Sequence, residues 1–188
     1  MQQTSRIAKN ALMNLLNLAV GLIAGMCASV LLTQYLSPQS YGEYQTALWL
    51  LSTGTLVLGL GMVETVRRYV AEFDGSQDRA SALQLAFIML GLQIALAIVP
   101  VFVLAVRADL VANLMKQPSL TSYFVLASAA IGPELVGAML QNILVGFQHF
   151  GSLTRAGIVR SVLTLGGIIL ARELDWGVPG LLGLTVLV

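Results

Sequence analysis

Apolar residues fall in long continuous runs separated by short polar stretches, and these runs predict the elements. They cover about Ala11 to Leu32, Tyr44 to Val63, Ser81 to Val106, Thr121 to Phe147 and Ser152 to Ala171. Each reaches the roughly 20 helical residues that cross about 30 Å of hydrocarbon. The runs do not alternate apolar with polar positions, so they predict helices rather than barrel strands. A sixth run opens at Gly177-Val178-Pro179-Gly180 and stops at Val188 after about twelve residues, short of a full span. The expected fold is an all-α, multi-pass transmembrane helical bundle. It has five complete helices and a truncated sixth, with residues 1–188 forming one incomplete bundle.

The polar stretches set the connections. Ser37-Pro38-Gln39-Ser40-Tyr41-Gly42 is an uncharged turn. Glu64–Ala80 carries Arg67, Arg68 and Arg79 against Glu64, Glu72, Asp74 and Asp78, and Asp74-Gly75-Ser76 marks its turn. Arg107–Leu120 has apolar residues at 110, 111, 114 and 115, which predicts a short amphipathic helix near 107–117 lying at the membrane interface and ended by Pro118. Gln93 and Pro100 interrupt the third run, and the proline predicts a kink. Trp49 suits an interfacial position. Arg6, Lys9, Arg67, Arg68, Arg79 and Arg155 fall on one side of the membrane; Arg107, Lys116 and Arg172 fall on the other. That imbalance predicts a cytoplasmic N-terminus.

Composition agrees: the 188 residues are 57% hydrophobic and 10% charged, with mean hydropathy +0.84. A soluble domain carries about 25% charged residues. A net charge of +1 without a basic tail gives no reason to expect a nucleic-acid partner. Cys27 is the lone cysteine, so neither a disulfide framework nor a metal cluster is expected. The first run exceeds a signal-peptide core, and Met26 before Cys27 does not suit lipoprotein cleavage, so this helix is read as retained. No arrangement suggests a catalytic residue or a metal site. His149 lacks a Cys or carboxylate cluster and reads as an interfacial polar residue. Gly59 and Gly61 lack the strand–helix setting of a dinucleotide loop and read as sites of close helix contact.

Polar groups inside the runs are the candidates for function. In the first run Asn10, Asn14, Asn17, Gly21, Ala24/Gly25 and Ala28 share one helical face. That stripe predicts either close packing through Gly21-x-x-x-Gly25 with the asparagines as interhelical glue, or the lining of a hydrated cavity. In the fourth run Glu134, Gly137 and Gln141 share a face; in the fifth, Gly157, Arg160, Thr164 and Gly167 do. With the two helices antiparallel, Arg160 and Glu134 lie roughly 12 and 18 Å from the same end. Three readings follow: a structural Glu134–Arg160 pair, Arg160 reaching to the interface, or a functional pair. In the functional case Arg160 attracts an anionic head group and Glu134 couples transport to a cation or proton gradient. Arg67 and Arg68 are candidates for a cytoplasmic entrance or for topology anchors.

Several stretches also carry a resemblance. They are Lys9–Asn14, the connection Tyr35–Tyr44, Gly59-Leu60-Gly61, then Arg68-Tyr69-Val70-Ala71-Glu72, Gly146–Phe150 and Gly177–Gly180. In order and spacing the chain resembles the N-terminal part of bacterial polysaccharide-biosynthesis (O-antigen-type) flippases. These belong to the multidrug/oligosaccharidyl-lipid/polysaccharide exporter superfamily. The chain has Gln34 where many members have Arg, and Ser37 where they have Gly, so no role attaches to an arginine there.

The resemblance implies one bundle of a transporter with twelve to fourteen helices, lacking its C-terminal bundle, in the bacterial inner membrane. It implies that a polyprenyl-diphosphate-linked oligosaccharide is flipped to the outer leaflet by alternating access. A drug/cation antiporter of the same superfamily and a non-catalytic membrane scaffold are the alternatives. A native end at Val188 would favour the scaffold. A membrane-embedded transferase would need an acidic metal-binding loop, and Glu72–Asp78 is too sparse for one.

Overall fold

The computed structural model describes residues 2–59 and 61–187; the side chains of Arg6, Lys9, Asn10 and Pro100 lie outside the described residues. The chain is an all-α bundle. Its helices are α1 (Gln2–Tyr35), α2 (Pro38–Gly59), α3 (Met62–Gly75), α4 (Arg79–Val106), α5 (Ala108–Leu114), α6 (Thr121–Gly146), α7 (Phe150–Glu173) and α8 (Gly177–Leu187). A 3-10 turn, Pro118–Leu120, leads into α6. Four spans are long and apolar enough to cross a membrane, or five if α2 and α3 count as one bent span. This is the make-up of a multi-pass membrane protein.

The stretch after Val63 is a helix rather than an open connection. Met62, Val66, Val70 and Phe73 recur at helical spacing, and Val66 and Val70 are fully buried against α4 and α6 with Ala82, Ala86 and Met139. The charged residues occupy the other face, which disguised the helix as a loop. Gly61 separates α3 from α2 at φ 71°, a left-handed conformation suited to glycine. The two helices meet at 51°. Gly59 and Gly61 therefore mark a bend, not a tight contact: neither has an atom near the place its Cβ would occupy. The turn into α4 also falls later than expected, at Ser76–Asp78. There the Asp78 carboxylate accepts from the Ser81 N–H at 3.1 Å and caps α4. Hydrogen bonding from the Ser81 hydroxyl, and then from its backbone N–H, holds the Asp78 carboxyl below its ordinary value.

α4 runs unbroken through positions 93 and 100. Gln93 is fully buried and its Nε2 donates to the Leu58 carbonyl at 3.0 Å, satisfying an acceptor that the end of α2 leaves free. The short helix predicted near 107–117 is α5. Ala108 and Ala112 pack inward with Leu120 and Phe124, while Leu110 and Leu114 point outward.

α6 is the axis of the bundle. It buries Phe124, Ala127, Ala130, Ile131, Leu135 and Met139, and it is packed on by α2, α3, α4, α5 and α8. Small residues permit this approach, since helices within lipid gain mainly from close van der Waals contact. Gly146 lies so close to Val70 that a Cβ would sit 2.8 Å from the Val70 side chain.

α1 and α7 form a separate parallel pair. At one end Thr154 Oγ1 donates to the Met13 carbonyl at 3.1 Å. At the other the Tyr35 hydroxyl donates to the Ala171 carbonyl at 3.0 Å and accepts from the Gly177 N–H at 2.8 Å. We call the end holding Met13, Thr154 and the α6–α7 turn proximal, and the end holding Tyr35 and Gly177 distal. Leu15, Leu22 and Met26 on the opposite face of α1 are exposed, as a lipid-facing surface requires.

Candidate functional site

The facing sides of α1, α6, α7 and α8 enclose a cleft. Its main chamber, about 350 Å³, is lined by Asn17, Pro133, Glu134, Gly137, Gln141, Gly157, Arg160 and Thr185 among others. Glu134 lies about 18 Å along α6 from the proximal end, and Arg160 about 15 Å along α7. At that matched depth Arg160 Nη2 donates to Glu134 Oε1 at 2.6 Å, as short as charge-assisted bonds become. The side chains keep 44% and 29% of their surface accessible, so the pair is open to the cleft rather than sealed in the core. An ionic pair is costly in lipid and tolerable beside a polar, hydrated space.

Local sequence explains the position. Pro133 has no N–H, so the Ala129 carbonyl one turn earlier loses its helical donor. Gly137 lies one turn from Glu134 on the same face and leaves room beside the carboxylate. On α7 Gly157 fills the equivalent role for Arg160. The Asn17 side-chain oxygen of α1 rests directly against its Cα, where a Cβ would collide.

Two further chambers continue the cleft. Proximally, about 110 Å³ is enclosed by Asn14, Asn17, Gln141, Asn142, Val145, Phe150, Leu153 and Thr154. Distally, about 200 Å³ is enclosed by Tyr44, Leu48, Leu51, Glu134, Arg160, Thr164, Ile168, Leu181, Leu184 and Thr185. The order along the bundle is thus amides, then the ion pair, then a largely apolar end with hydroxyls of Tyr44, Thr164 and Thr185.

Sequence reasoning named Glu134, Arg160, Gln141, Asn14 and Asn17, and the fold brings all five to this cleft. Arg67 and Arg68 are elsewhere. Both are on α3, where Arg67 pairs with Glu64 and Arg68 lies 5.8 Å from the Tyr69 ring centroid. Neither lines these chambers. Gly21 and Gly25 do not form the expected helix contact: nothing lies within 4 Å of either Cβ position. They border a groove with Ala24, Ala28, Arg160, Ser161 and Thr164 instead. His149 stands at the start of α7 with its ring edge-on to Phe147, 6.4 Å between centroids. Tyr44, Asn142, Thr154 and Thr185 were missed. Their only signal was polarity within an apolar run, shared with several residues that merely bond their own helix.

Among the described residues, no group of three or more His, Cys, Asp or Glu is arranged to hold a metal ion. No protein-family model, curated protein or solved structure matches this chain.

Proposed function

We propose that this chain forms one helical bundle of a transporter for a polyprenyl-diphosphate-linked oligosaccharide in the bacterial plasma membrane. The observation that carries the reading is the Glu134–Arg160 pair, accessible from a polar cleft at membrane depth. A guanidinium is well suited to a diphosphate because its donors are fixed in a planar fork. In the present state Glu134 occupies that fork. An arriving diphosphate competes for it, and Glu134, once released, is available to a proton or cation from a gradient. The amide chamber lies on the side that the basic-residue count assigns to the cytoplasm. Alternation then requires a second bundle on the open side of the cleft. The family resemblance supports the substrate class.

The test is translocation of a polyprenyl-diphosphate oligosaccharide in vesicles holding the full-length protein. Arg160→Gln should lower the initial rate at least tenfold at unchanged incorporation. A normal rate would sink the assignment. A drug/cation antiporter or a scaffold predicts no translocation of this substrate at all.

A further inference from the structure

We infer that the proximal chamber is a subsite for an uncharged sugar, so that the site divides its ligand between Arg160 for anionic charge and a cluster of amides for neutral hydroxyls. The inference rests on the transporter reading for the identity of the ligand, and on the chamber itself for the chemistry. Asn14, Asn17, Gln141 and Asn142 converge there from α1 and α6. Asn142 Nδ2 is committed to the Ala138 carbonyl at 2.9 Å, and the Thr154 hydroxyl to Met13 and Phe150 carbonyls. Among the described residues the side chains of Asn14, Asn17 and Gln141 make no hydrogen bond.

Each free amide offers two donors and an acceptor on one plane. That set suits a ligand whose hydroxyls both donate and accept. It suits a carboxylated or phosphorylated sugar less well, because no cationic side chain is among the described residues that line the chamber. Val145, Phe150 and Leu153 form the apolar part of the lining, and the exposed side chains of Asn14 and Gln141 are open to a ligand. The chamber shares Asn17, Gln141 and Leu153 with the main one, so the two are adjacent. Asn17 faces Gly157, one turn from Arg160, and Gln141 lies roughly 10 Å along α6 from Glu134. A ligand with its diphosphate on Arg160 therefore brings its first sugars among the amides.

The experiment titrates detergent-purified full-length protein with three probes: chitobiose and lactose as neutral disaccharides, and inorganic pyrophosphate. Asn17→Ala and Gln141→Ala should each weaken binding of at least one neutral disaccharide about two- to tenfold, the value of one neutral hydrogen bond. Both should weaken the disaccharide more than pyrophosphate, and Arg160→Gln should do the reverse. Asn14→Ala, at an exposed position, gives the same reading if Asn17→Ala fails to fold. The inference is overturned if neither disaccharide shows amide-dependent binding, or if the amide variants lose stability with disaccharide binding unchanged, which would make them interhelical glue. Pyrophosphate binding without disaccharide binding removes the subsite alone. Disaccharide binding without pyrophosphate binding removes the transporter reading of Arg160 and keeps the subsite.

Discussion

Arg160 Nη2 and Glu134 Oε1 are 2.6 Å apart. Among the described residues theirs is the only side-chain hydrogen bond joining the α1–α7 pair to α2–α6. The pair thus has two consequences, one for binding and one for cohesion of the bundle.

Removing Glu134 leaves the guanidinium free. Glu134→Gln should raise pyrophosphate affinity, since the competing carboxylate is gone, while lowering thermal stability by about 1–3 kcal/mol. That range lies between exposed and buried ion pairs. A double cycle with Arg160→Gln should recover about 1 kcal/mol of coupling. Binding isotherms and melting curves on the same preparations check both; lower pyrophosphate affinity in Glu134→Gln contradicts the competition.

Asn17 and Gly157 test the seam between α1 and α7. Gly157→Ala places a methyl group into the Asn17 side chain and should destabilise by about 1–3 kcal/mol, as overpacking does. Asn17→Ala in the same chain opens the space and should restore most of the loss. An unaltered melting temperature in Gly157→Ala would show that the helices are not in contact there.

These residues also show what could be read in advance. Helix positions and the faces of Glu134 and Arg160 follow from periodicity, and an ionic group within an apolar run needs a partner or water. The 3- and 4-residue spacing of Asn14 and Asn17 likewise marks a face. What that face meets is not local information. Gly21 and Gly25 carry the spacing of a packing motif yet border an open groove between α1 and α7. α3 was hidden because its charged face resembles a loop, although Val66 and Val70 had the spacing of a buried stripe. Tyr44 and Thr185 come from helices distant in sequence, so only packing brings them to the ion pair.

Tyr35 gathers α1, α7 and α8 through one hydroxyl. Tyr35→Phe removes the donor to Ala171 and the acceptor for Gly177 together. The expected cost is about 1–3 kcal/mol, with faster amide hydrogen exchange confined to the α7–α8 connection. Unaltered exchange there would contradict the assignment of Tyr35 as the distal tie.

Asp78 provides a test at the opposite end. Its carboxyl is held low, so its capping contribution is present at neutral pH and is lost as pH falls through the depressed folded value, below 3.8. Asp78→Ala should loosen the start of α4, and Asp78→Asn should not, because both Asp and Asn cap well. Hydrogen exchange of the Ser81 amide reports the difference.

The central claim is that the space around Glu134 and Arg160 is hydrated and receives an anion. In a Cys27→Ser background, single cysteines introduced as Asn17→Cys, Gln141→Cys and, for the lipid face, Leu22→Cys can be challenged with a membrane-impermeant thiol reagent. The account predicts labelling of the first two from the cytoplasmic side, slowed by pyrophosphate only while Arg160 is present, and none at position 22. Labelling absent from positions 17 and 141, or indifferent to pyrophosphate, would contradict it.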